Sequence, residues 1–112
     1  MRYAVLINER PGAYAGLSES QRAAITAEYL ALRADQRVFA GERLQPAHTA
    51  TTVRAGDGEL ALTDGPFADT KEIFGGFYLL EAANLDEALE FAGRIPAVRL
   101  GGSVEIRPLA AH

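Results

Sequence analysis

Phe74-Gly-Gly-Phe-Tyr-Leu-Leu-Glu-Ala82 and the segment that follows it, Ala83-Asn-Leu-Asp-Glu-Ala-Leu-Glu-Phe-Ala92, decide the fold. The first segment, which contains Gly75 and Gly76, reads as a strand apolar on both faces: Tyr78, Leu80 and Ala82 point one way, Phe77 and Leu79 the other. In the second, Leu85, Ala88, Leu89 and Ala92 recur at i, i+3, i+4 and i+7, the spacing of an amphipathic helix. Asn84 with Glu87 three residues later supplies a helix start. Pro96 is expected to end the helix, because it lacks an amide and biases Ile95 away from helical angles. Ser103 to Pro108 then alternates Val104 and Ile106 with Glu105 and Arg107, as a half-exposed strand does.

The same strand–helix–strand pattern stands upstream. Tyr3 to Ile7 is a short apolar run read as a buried strand, and Asn8 to Gly16, with Pro11 and Gly12, reads as a loop. Ser18 and Gln21 form a capping box ahead of a helix whose stripe is Ile25, Tyr29 and Leu32. Arg37 to Leu44 reads as the second strand. Thr51–Arg54 and Leu60–Thr63 flank a glycine-containing reversal with Asp57-Gly58, a hairpin signature. The order is strand, helix, strand, hairpin, strand, helix, strand. It predicts an α+β fold: a ferredoxin-like βαββαβ sandwich with an inserted β-hairpin, in one domain over residues 1–112.

Two helices cover only one face of such a sheet. An open face should alternate with polar residues, yet both faces are apolar: Tyr3, Val5 and Ile7 lie opposite Ala4 and Leu6, and Tyr78, Leu80 and Ala82 opposite Phe77 and Leu79. A second copy covering that face is the simplest expectation, so the sequence predicts a homodimer.

Composition narrows the function. The 112 residues are 48% hydrophobic and 23% charged, ordinary for a soluble domain. A net charge of −4 disfavours nucleic acid and anionic lipid as partners. With no cysteine, disulfides, thiolate metal sites and cysteine nucleophiles are excluded. No stretch has the pattern of a secretory signal or the length of a membrane span, so the cytoplasm is the expected location.

The segment Asp64 to Gly76 concentrates the candidate chemistry. Asp64, Asp69 and Glu72 are carboxylates beside Phe67 and Phe74, and partial desolvation there would raise a carboxyl pKa toward acid–base use. The plainer reading is a turn capped by Asp64, stiffened by Pro66 and anchored by Phe67. Of the two histidines, His48 sits near a loop-to-strand junction and His112 ends the chain. No His-x-x-His or Glu-x-x-His spacing occurs, so no metal site is expected. The candidate catalytic residues are Asp64, Tyr29 and His48, with Pro66, Phe67, Glu72 and Tyr78 as ligand contacts.

Asp64-Gly65-Pro66-Phe67, Thr70-Lys71-Glu72 and Gly75-Gly76-Phe77-Tyr78 together resemble the DGPF signature of the YCII-related proteins. Gly41 to Pro46, Asp86 to Leu89, Arg94 to Pro96 and Gly102 to Pro108 extend the resemblance over essentially the whole chain. The resemblance implies sheets paired as a dimeric α/β barrel, in keeping with the expected homodimer. In a related branch an Asp and a first-helix His are proposed as an active-site pair. The Asp matches Asp64, but the His position falls near Tyr29, where this chain departs from the pattern. A cofactor-free protein that binds a small molecule, with Asp64 in acid–base chemistry, is the first functional expectation. The alternative is a non-catalytic dimeric accessory to a regulatory partner, since such proteins are often associated with sigma factors.

Overall fold

The computed structural model describes residues 1–65 and 71–111; the expected ligand contacts Pro66 and Phe67, with Asp69 and His112, lie outside the described residues. The apolar run Tyr3 to Ile7 sets strand β1 (Arg2–Glu9), in which the alternate residues Tyr3, Val5 and Ile7 are buried. Helix α1 (Glu19–Arg33) begins at the Ser18/Gln21 box. The Gln21 amide donates to Ser18 Oγ at 3.1 Å, and the Ser18 amide donates to Gln21 Oε1 at 2.8 Å. Ser18→Ala removes the side-chain acceptor for one of these bonds and is expected to cost about 1 kcal/mol in urea unfolding, with Ser18→Asp restoring most of it.

Strands β2 (Val38–Arg43), β5 (Ile73–Glu81) and β6 (Ser103–Pro108) join β1 in one antiparallel sheet of order β2-β5-β1-β6. Each half of the chain thus skips over a strand of the other half, which is the ferredoxin-like arrangement expected from the element order. Among the described residues, strands β3 (Thr51–Ala55) and β4 (Leu60–Asp64) pair only with each other. They form the inserted hairpin, an arm on which nearly every residue is exposed. The arm helps explain a radius of gyration of 15.9 Å, above the roughly 13 Å of a compact chain of this length.

Helix α2 (Leu85–Gly93) starts where Asn84 Oδ1 accepts the Glu87 amide at 3.0 Å. Pro96 departs from expectation. The helix has already closed at Arg94, and Pro96 instead opens a short helix, α3 (Pro96–Arg99), after an extended Ile95. The fixed φ and missing amide of proline cost nothing at a first helical position, and Ile95, Pro96 and Ala97 are buried there.

The core lies between the helices and one sheet face. Phe91 of α2 is fully buried, with its ring edge-on to Tyr78 at 5.5 Å and 88°. Around its rim, Asp35 receives a bidentate contact from Arg37 and lies 3.6 Å from Arg94. The hydrogen bonds from Arg37 hold the Asp35 carboxyl well below the usual carboxylate range. The opposite face carries Ala4, Leu6, Phe77 and Leu79, all half-buried, and an exposed Phe39.

Candidate small-molecule site

A cleft opens where α1 leaves the sheet edge. Its inner chamber, about 290 Å³, lies between Tyr29 and Leu30 of α1, Ile7 of β1, and the strand segments around Gly41 and Gly76. Glycines let the strands and the Tyr78 ring around it approach closely. A Cβ on Gly41 would meet the Tyr78 ring at 2.7 Å, and one on Gly76 would meet the Glu42 carbonyl oxygen at 2.8 Å. The β1–β5 register slips between Ile7 and Asn8, leaving Gly75 as the extra residue. A Cβ there would fall 2.6 Å from the Glu9 carboxylate, which would have to swing aside from its present position.

A second chamber of about 630 Å³ lies under the loop after β1 and shares Glu9, Arg43 and Gly75 with the first. Glu9 is therefore the acid at the junction. Its half-burial raises its pKa against a smaller opposing pull from Arg43. Tyr14 and Tyr29 flank it. Burial pushes both phenols upward, and each also feels the Glu9 charge. Both hydroxyls thus stay protonated at neutral pH, as hydrogen-bond donors. The Tyr29 hydroxyl is buried, close to the Tyr14 side chain and the Ala97 backbone, though neither reaches it at ideal hydrogen-bonding geometry.

Of the residues expected from sequence, Tyr29 and Tyr78 meet in the inner chamber, where the Tyr78 hydroxyl donates to the Tyr29 carbonyl oxygen at 3.0 Å. The others stand elsewhere. Asp64 is exposed at the end of β4, paired with Thr51 across the arm. His48 is exposed in a 3-10 turn, Ala47–Thr49. Glu72 accepts the Ser103 hydroxyl at 2.6 Å, tying the segment before β5 to the start of β6. Asp64, His48 and Glu72 line neither chamber. Among the described residues no group of three metal-ligating side chains occurs, and no helix is long and apolar enough to cross a membrane.

Sequence reasoning missed Glu9 and Arg43, although a signal for both was present. The alternation that buries Tyr3, Val5 and Ile7 continues to Glu9, so a carboxylate occupies an inward register. Arg43 follows Gly41 by two and pairs opposite Gly76, which places it on the same side.

The profile of the YCII-related domain matches residues 1–111. An uncharacterised protein of Rhizobium meliloti (strain 1021) is 49% identical over 71 residues, which is 62% of this chain and 57% of that relative's length. Among solved structures, 5-chloro-2-hydroxyhydroquinone dehydrochlorinase from Burkholderia phenoliruptrix AC1100, in complex with 2,5-dihydroxybenzoquinone, aligns with a TM-score of 0.54. That alignment covers 100% of this chain and 96% of the other at 22% identity, a likeness of fold.

Proposed function

The chain belongs to the YCII-related domain family, and from that premise we propose that it binds a ring-sized small molecule in the cleft beside α1 and exchanges a proton with it through Glu9. The observation that carries this reading is a half-buried Glu9, its pKa raised by burial, lining a cavity together with Tyr29 and Arg43. Acting as a base, the Glu9 carboxylate takes a proton from an acidic O–H or C–H of the ligand. The electron pair stays on the ligand, where a hydrogen bond from Tyr29 and the charge of Arg43 stabilise it. The inner chamber, at the lower end of ligand pockets, suits a body the size of the quinone bound by the dehydrochlorinase. The proposal includes a homodimer formed through the open sheet face.

A thermal-shift screen of small metabolites tests it. A ligand at 100 times its Kd adds about 2.7 kcal/mol, which raises the Tm of a domain near this size on the order of 10 °C. The stabilisation is expected to be lost in Glu9→Gln and kept in Asp64→Asn. The reverse pattern assigns the chemistry to Asp64, and an unshifted wild type across the library removes the small-molecule reading.

The sign of the Glu9 shift gives a ligand-free check. A raised carboxyl pKa means that the folded state holds the proton more tightly than the unfolded chain. Ionisation of Glu9 therefore opposes folding, and stability is lost as pH rises from the ordinary glutamate value of 4.5 through the folded pKa. Glu9→Gln lacks this loss. Its Tm relative to wild type is expected to climb as pH rises above 4.5, and a pH-independent difference would count against burial of the carboxyl.

A further inference from the structure

Ten arginines are distributed unevenly with respect to acid partners. Arg2, Arg37, Arg94, Arg99 and Arg107 each form an ion pair with a carboxylate. Arg10, Arg22, Arg33 and Arg43 form none within 4 Å among the described residues, and all four line the two chambers. The only described acids lining either chamber are Glu9 and Glu42. Four guanidinium groups against two carboxylates leave the cleft positive, in a chain whose net charge is −4. Protonation of Glu9 increases the excess.

The outer arginines are also held in place without being neutralised. Arg10 Nε donates to the Leu100 carbonyl oxygen at 3.2 Å. Arg22 donates to the carbonyl oxygens of Tyr14 at 2.7 Å and Leu17 at 3.3 Å. Neutral acceptors fix where these groups sit and leave their full charge available, so less ordering remains when an anion binds. The inner chamber is more apolar, with Ile7, Leu30, Phe77 and a glycine floor, and its charges balance, Arg33 and Arg43 against Glu9 and Glu42. The chambers meet at Glu9 and Arg43.

We infer that the ligand of this cleft is an organic anion, with a ring-sized apolar body in the inner chamber and a carboxylate or phosphate among Arg10, Arg22 and Arg43 in the outer one. This rests on the small-molecule reading above and names the ligand's chemical class. An oxyanion there replaces water on several guanidinium donors at once, whereas a neutral group of the same shape leaves the cleft's charge unanswered.

The test titrates the isotope-labelled full chain with phenylacetate, phenyl phosphate and phenylacetamide, following the amide resonances of Gly41, Gly75 and Gly76. At least one anion is expected to shift these resonances and to bind tenfold or more tightly than the amide; which anion does so separates carboxylate from phosphate ligands. Arg43→Gln is expected to bring anion and amide to near parity, while Arg107→Gln, in an ion pair away from the cleft, preserves the preference. Equal binding of anion and amide by the wild type overturns the inferred class and leaves the small-molecule reading standing. Glycine resonances that respond to none of the three overturn both.

Discussion

Phe91→Ala is expected to cost the fold about 3–5 kcal/mol and to lower its Tm on the order of 15 °C. Phe91 is fully buried and is the largest side chain α2 places in the core. Its removal forfeits the transfer energy of the ring, leaves a cavity that the backbone of α2 cannot close, and breaks the edge-to-face contact with Tyr78. The guanidinium carbons of Arg37 and Arg94 lie 5.9 and 5.7 Å from the ring centroid. The loss therefore also loosens the charged cluster around Asp35 that links the end of α1 to β2 and α2. Phe91→Leu, which retains most of the volume, is expected to cost less than half as much. Urea unfolding followed by circular dichroism measures both. A cost below about 1 kcal/mol for Phe91→Ala would mean that the ring is not a keystone of this core.

The parts of this molecule legible in its sequence are those where local chemistry and tertiary packing agree. The Ser18/Gln21 box and the Ile25/Tyr29/Leu32 stripe both place α1, and the helix begins and packs accordingly. Asp57-Gly58 turns the hairpin, with Gly58 at a φ of 80° that side chains disfavour. Pro96 misled because proline both terminates and initiates helices, and only the burial of Ile95 and Ala97 selects the second role. The cleft was less legible still. Glu9 and Arg43 lie 34 positions apart in the chain, and what joins them is a one-residue slip at Gly75 that no local pattern announces. The acid-rich segment after Asp64 drew attention because its residues are contiguous in sequence, whereas this cleft is assembled from β1, α1, β2 and β5.

Leu79→Glu is expected to convert a dimer into a monomer, raising the dissociation constant by a factor of at least about 10³. Leu79 pairs with Ala4 on one side and Ala40 on the other, at the middle of the face the helices leave uncovered. Leu6 and Phe77 pair beside it, and Phe39 extends the apolar surface toward β2 under the Arg2 guanidinium, 4.6 Å from the ring centroid. Charges sit at the margins, where Arg2 pairs with Glu81 and Arg107 lies 3.6 Å from Glu105. An apolar centre inside a charged rim is the anatomy of an interface. A two-fold contact repeats every substitution, so Leu79→Glu buries two carboxylates near each other, each with a desolvation cost of several kcal/mol and no partner. The same residue in a monomer would be only half-buried and would accept glutamate with little loss of stability. Sedimentation velocity at micromolar concentration separates the cases. A wild type that sediments as a monomer, or a Leu79→Glu variant that remains dimeric, places any self-association on another surface, with the exposed Val53, Leu60 and Leu62 of the hairpin arm as the next apolar patch to mutate.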